Sequence, residues 1–145
     1  MRDDLIGIAL ALVGVVLLNQ VCKFIVQRPR PEGFRLIAES GYSFPSGHSM
    51  VAMAFYGLLA WMAWRHERDA VVRRISVTGF ALVVVLVGIS RIYLGVHYAS
   101  DVIAGFCLAA AWLAVYTTVV APIFLPEETT SLGLDETSAM GRLDS

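Results

Sequence analysis

The chain has 145 residues, 57% of them hydrophobic and 16% charged, with a mean hydropathy of +0.69 and a net charge of -1. An apolar share above the usual ~45–50% argues against an ordinary soluble domain and for a small membrane protein of one domain. The near-neutral balance leaves no basic surface for nucleic acid and no lysine-rich run that would act as a polybasic lipid anchor.

A spanning helix needs about 20 mainly apolar residues. Four stretches approach that length, which predicts an all-α integral-membrane bundle with four transmembrane helices. The first runs from Leu5 to Phe24 and enters with Asp3 and Asp4, which suit the positive end of a helix macrodipole. No charged leader with a small-residue cleavage site precedes it, so it is expected to be retained. It ends in polar residues, with Asn19 and Lys23 on one face at i and i+4 and Gln20 beside them. At membrane depth such groups need a partner or a water-lined cavity, although Lys23 alone also fits interfacial snorkelling. The following Gln27-Arg28-Pro29-Arg30-Pro31 is broken by its prolines and holds two arginines outside regular structure. Arg28 and Arg35 are read as solvated charges, and Arg30 is left open at this point.

A short loop, Gly33 to Ser43, leads into Phe44-Pro45-Ser46-Gly47-His48-Ser49 at the head of the second helix, Gly47 to Arg65. Ser46 is placed to cap that helix, and the amides of Gly47, His48 and Ser49 would then face an anion. Gly47 permits close backbone approach, and His48 can exchange a proton near neutral pH. Ala52, Ala54, Gly57 and Ala60 suit close helix packing, and Trp61 and Trp64 suit an interface belt. The charged segment from Arg65 to Arg74 reads as a loop, with His66 solvated. The third helix is expected over Ile75 to Leu94 and the fourth over Ser100 to Ala121, with Gly105 and Ala109 as a small-residue pair and Pro122 and Pro126 as stops. Cys22 and Cys107 lack metal-site or redox spacing and are expected to be buried free thiols. Residues 1–125 would form the transmembrane core and residues 126–145 an acidic, disordered tail.

Between the third and fourth helices, Ser90-Arg91-Ile92-Tyr93-Leu94-Gly95-Val96-His97-Tyr98-Ala99-Ser100-Asp101 places a cation, an imidazole and a carboxylate in an apolar region. If helical, His97 and Asp101 share a face, so the carboxylate can accept a proton from one ring nitrogen and leave the other free as nucleophile or base. Four alternating crossings bring this loop to the same side as the one after the first helix. Lys23, Arg30, Ser46, His48, Arg91, His97 and Asp101 then all fall at one face. Setting these residues aside, Arg65, Arg68, Arg73 and Arg74 mark the cytoplasmic side, and the site faces outward.

Cations and helix-start amides suit a phosphoryl group, whose spread charge must be held as its transition state develops. One histidine would attack phosphorus; the other would protonate the leaving oxygen and then activate water. The only acids on this face are Glu32, Glu39 and Asp101, so neither a metal site nor another cofactor is expected.

Lys23, six residues, Arg30-Pro31; Pro45-Ser46-Gly47-His48; and Ser90-Arg91, five residues, His97, three residues, Asp101 together resemble the three-part signature of the type 2 phosphatidic acid phosphatase (PAP2) family. The ordered set is highly specific and covers the chain from Lys23 to the end of the fourth helix. The resemblance implies His97 as the nucleophile forming a phosphohistidine, Asp101 as its orienting partner and His48 as general acid and then base. It also implies phosphate binding by Lys23, Arg30, Ser46, Gly47 and Arg91. Membrane members of the family usually have six spanning helices, and the two that would precede the first helix are absent here. The chain would thus be a shortened form, a minimal variant, or a protomer that buries exposed faces against a partner, including a homo-oligomer.

The expected activity is metal-independent hydrolysis of a lipid phosphate or diphosphate at the outer face of a bacterial plasma membrane. Undecaprenyl diphosphate, phosphatidylglycerol phosphate and phosphatidic acid are the candidate substrates. A phosphotransferase using the same site, and an inactive truncated protein that binds anionic headgroups, are the alternatives. The soluble vanadium-dependent haloperoxidases share the signature, but the four apolar stretches argue against them.

Overall fold

The computed structural model describes residues 2–33 and 35–120, which form an all-helical bundle. α1 spans Arg2–Val26, α2 Gly47–His66, α3 Ala70–Tyr93 and α4 Ala99–Val115, with a π-helical turn at Tyr116–Val120. The tail expected over residues 126–145, and with it the boundary at 125, lies outside the described residues.

α3 starts at Ala70 instead of Ile75, and Asp69 is the reason. Its Oδ1 accepts from the Val71 and Val72 amides at 2.7 and 3.1 Å, satisfying two of the helix's orphan donors. Arg73 and Arg74 therefore lie in the helix, and the connection shrinks to Glu67–Asp69. The Arg73 guanidinium sits 4.9 Å from the Trp64 ring centre and ties α3 to α2, while that of Arg65 lies 5.1 Å from Trp61 one turn earlier on α2.

Among the described residues, Ile6–Val26, Ala70–Tyr93 and Ala99–Val120 are long and apolar enough to cross a bilayer, with mean hydropathies of 2.1, 2.2 and 1.9. The chain is thus an integral-membrane helical protein. α2, with 20 residues, has the length of a span but carries His48, Ser49, Tyr56, Trp61 and Trp64. It packs against α1, α3 and α4, so much of its surface meets protein, where a uniformly apolar face is not required.

The core lies where α1, α2 and α4 meet. One cluster joins Ala11, Leu58, Leu113 and Tyr116; a second joins Val15, Met50, Ala54 and Ala109. Trp112 fills the space left by the missing Cβ of Gly14 and donates from Nε1 to the Ala11 carbonyl at 2.9 Å. The Tyr116 hydroxyl donates to the Gly7 carbonyl at 2.7 Å, so each aromatic brings its polar group to a partner on α1. Gly105 and Ala109 pack as expected: Ala109 is fully buried, and a Cβ on Gly105 would lie 3.1 Å from the Ser46 carbonyl oxygen. That close approach seats the start of α2 against α4.

Val13, Leu17, Phe24 and Ile25 on α1, and Leu82, Val85, Leu86 and Ile89 on α3, point outward, as lipid-facing side chains do. The thiols depart from expectation. Cys22 is half-buried and Cys107 is exposed, because residue 107 lies two positions from both Gly105 and Ala109 and so faces away from α2.

Candidate active site

Two connections meet at one end of the bundle: the long one from α1 to α2 and the short one from α3 to α4. They are joined by backbone hydrogen bonds from Leu36 to Leu94 and from Ser46 to Asp101, at 3.2 and 3.1 Å. The segment after α1 is pinned by Arg30, which is buried. Its Nε donates to the Gly41 carbonyl at 3.1 Å, Nη2 to Ser40 at 3.0 Å and Nη1 to Val96 at 3.0 Å. One guanidinium thus cross-links both connections through their backbones, as its planar fork allows.

The Glu39 carboxylate occupies the middle of this end. It lies 2.7 Å from Arg30 Nη1, 3.9 Å from Arg91 Nη1, 3.8 Å from His97 Nε2 and 4.0 Å from His48 Nδ1. These four side chains come from the α1–α2 connection, the end of α3, the α3–α4 connection and the first turn of α2. Four of the seven residues grouped by sequence thus converge on one oxyanion. His48 is 58% exposed at the mouth, whereas the His97 side chain is 1% exposed with Nε2 facing the cluster. Burial, and then the positive charge of Arg30, lower the His97 pKa below its usual 6.5 against the opposing influence of the Ser43 backbone, Glu39 and Asp101. The ring is therefore neutral at pH 7, and when Nδ1 carries the proton the Nε2 lone pair faces the cluster, with Arg30 Nη1 at 3.4 Å.

The other predicted residues are placed differently. Lys23 Nζ donates to the Tyr42 carbonyl at 2.9 Å, tying α1 to the loop beside the cluster. Ser46 occupies the N-cap position of α2, but its side chain makes no cap bond; its Oγ is fully buried and accepts from Ser49 Oγ at 2.9 Å. Gly47 lies against Asn19, whose Oδ1 would be 3.3 Å from an added Cβ. The expected helical pairing of His97 with Asp101 is not made. α4 begins at Ala99, so His97 precedes the helix, and its Nδ1 stands 3.8 Å from Asp101 Oδ2, buried and without a hydrogen bond.

Asp101 is instead held by three other donors. Arg28 Nη1 reaches Oδ1 at 2.9 Å, while Oδ2 accepts from the Ser43 hydroxyl and, at 2.9 Å, from the Tyr98 amide. The Tyr98 contact closes one half of a capping box at the start of α4. Arg28, read as a solvated charge, also donates to Ser100 Oγ at 2.8 Å and stacks 4.2 Å from the Tyr98 ring centre. A signal was available: in an extended, proline-locked segment side chains two apart share a side, so Arg28 follows Arg30 toward the α3–α4 connection. Ser43 and Glu39 carried no such signal. Asn19, which needed a partner, finds two, donating to the Pro45 carbonyl at 3.3 Å and to Met50 sulfur at 3.2 Å. It braces the turn that presents His48.

The profile of the PAP2 superfamily matches residues 4–124. The chain is 45% identical over 93 residues to phosphatidylglycerophosphatase B of Bacillus subtilis, covering 63% of this chain and 46% of that protein. It is 32% identical over 134 residues to undecaprenyl-diphosphatase of Sulfolobus acidocaldarius, covering 84% and 60% respectively. The crystal structure of a transmembrane PAP2-type phosphatidylglycerolphosphate phosphatase from Bacillus subtilis superimposes with a TM-score of 0.74 at 36% identity, over 81% of this chain and 58% of that one. The chain thus spans about half the length of these relatives. With the profile covering most of its residues and the signature side chains gathered at one end, the chain belongs to the PAP2 superfamily.

Proposed function

We propose that this chain is a metal-independent lipid phosphatase. The observation that carries this reading is the convergence of Arg30, Arg91, His48 and His97 on a single oxyanion, the Glu39 carboxylate. Its two oxygens stand in for those of a phosphoryl group. With phosphate there, Arg30 and Arg91 neutralise the non-bridging oxygens, and Lys23 and the first amides of α2 add positive potential. His97 Nε2 attacks phosphorus and the bond to the leaving oxygen breaks. His48 gives that oxygen its proton, then removes one from the water that hydrolyses the phosphohistidine. Asp101 lies behind His97, and closing the 3.8 Å gap lets it take the Nδ1 hydrogen bond as the imidazole becomes cationic.

The similarity to phosphatidylglycerophosphatase B supports phosphatidylglycerol phosphate as the first substrate to test, with undecaprenyl diphosphate next. With α2 read as a further span and the basic Arg65 to Arg74 end taken as cytoplasmic, the site lies at the extracytoplasmic interface, where a lipid keeps its tail in the bilayer. Purified protein should release inorganic phosphate from at least one member of a panel of these lipids and phosphatidic acid in the presence of EDTA. His97→Ala should abolish the release, whereas strict dependence on added magnesium would refute the mechanism.

A further inference from the structure

Glu39 has no part in the chemistry above, yet it occupies the place that chemistry reserves for substrate. We propose that Glu39 is a resident anion of the phosphoryl pocket, which substrate must displace and which sets the affinity threshold of the site. This rests on the phosphatase reading. The carboxylate lies within 4.0 Å of all four converging side chains, with its shortest contact, 2.7 Å, to buried Arg30. Asp101 does not compete for the position, because Arg28, Ser43 and the Tyr98 amide hold it on the far side of His97.

The backbone is built to let the side chain leave alone. Arg30 grips Ser40 and Gly41 through their carbonyls using Nε and Nη2, and meets the Glu39 carboxylate with Nη1. An incoming phosphate can take the place of Glu39 at Nη1 while the bonds to Ser40, Gly41 and Val96 keep both connections in place. The Glu39 side chain is 22% exposed, so a change of rotamer carries its carboxylate into water.

The consequence concerns occupancy. A site that is closed to ligand for part of the time weakens every ligand by the same factor, the fraction of time it is open. A pocket filled about 90% of the time by Glu39 binds each anion about tenfold more weakly. A dianionic terminal phosphate held by Arg30 and Arg91 still binds, whereas monoanionic phosphodiester headgroups, present in excess in any phospholipid membrane, fall below the working range. Glu39 thereby lowers the occupancy of the pocket by every anion, bulk lipid included, and leaves the ratio of their affinities unchanged.

The test is Glu39→Gln, assayed in mixed micelles with a short-chain phosphatidic acid. KM, the inhibition constant of orthovanadate and, with substrate well below KM in both proteins, the concentration of phosphatidylglycerol giving half-inhibition should each fall about tenfold. Glu39→Asp, which withdraws the carboxylate by one methylene, should shift all three in the same direction by less, and it serves if the glutamine variant fails to fold. Wild-type activity with unchanged or raised values in either variant would overturn the proposal. Calorimetric binding of orthovanadate reads the same factor without turnover. An inactive wild type whose glutamine variant binds vanadate more tightly would refute the phosphatase reading and leave this one standing.

Discussion

Replacing Arg28 with glutamine should impair the site from behind. The guanidinium lies 2.9 Å from Asp101 Oδ1, and Asp101 is fully buried at the start of α4. At that distance and an effective dielectric of about 20, the attraction is about 6 kcal/mol before desolvation. Arg28 is 36% exposed, and the Ser43 hydroxyl and Tyr98 amide remain on Asp101, so solvent screening and the surviving donors reduce the net loss to about 2 kcal/mol. If all of it reaches the transition state, kcat/KM falls about 30-fold. The assay is a double-mutant cycle with Arg28→Gln, Asp101→Asn and both, followed by phosphate release. If the pair acts as one unit behind His97, the double variant is no worse than Asp101→Asn alone. Fully additive losses would show that Arg28 works elsewhere and refute the reasoning.

Asn19→Leu removes the donor that spans the Pro45 carbonyl and Met50 sulfur; it should cost about 1–2 kcal/mol of stability and lower kcat about tenfold, read by denaturant titration in detergent and by initial rates. Gly105→Ala puts a methyl 3.1 Å from the Ser46 carbonyl oxygen and should cost about 1–3 kcal/mol with a matching loss of activity. Gly79→Ala, with no atom within 4 Å of the new methyl, should leave activity unchanged in the same assay. The pH profile of kcat/KM should show an acidic limb below 6.5, since the lowered His97 pKa keeps the nucleophile neutral down to that range. The same shift makes the unfolded chain the better proton acceptor, so stability present above the ordinary value of 6.5 is lost as pH falls from there through the lower folded-state pKa, measurable as a falling melting temperature below pH 6.5.

The face on which the site forms was legible because alternation of helices needs only their number, and the spacing of Arg30, His48, Arg91 and His97 needs no side-chain detail. Contacts set by local turns were not legible. His97 and Asp101 are four apart and do face each other, but the chain reaches helical geometry only at Ala99, so they stand 3.8 Å apart without the hydrogen bond that the spacing suggested. The charged run from Arg65 to Arg74 resembled a loop, although Asp69 caps a helix whose opening turn is basic. α2 showed how far hydropathy reaches: a helix enclosed by three others is free to carry the polar residues that lower its average. Glu39 lies in a loop without periodicity, and only the folded Arg30 bridge reveals where its carboxylate goes.

The central claim is that His97 Nε2 becomes bonded to phosphorus. Rapid quenching of the protein with phosphorus-labelled lipid phosphate, followed by alkaline peptide mapping, tests it most directly. The account predicts acid-labile, base-stable label on the peptide containing His97, absent in His97→Ala and accumulating in His48→Ala when the leaving group needs no proton. Label on a serine or an aspartate, or steady turnover in His97→Ala, would contradict it.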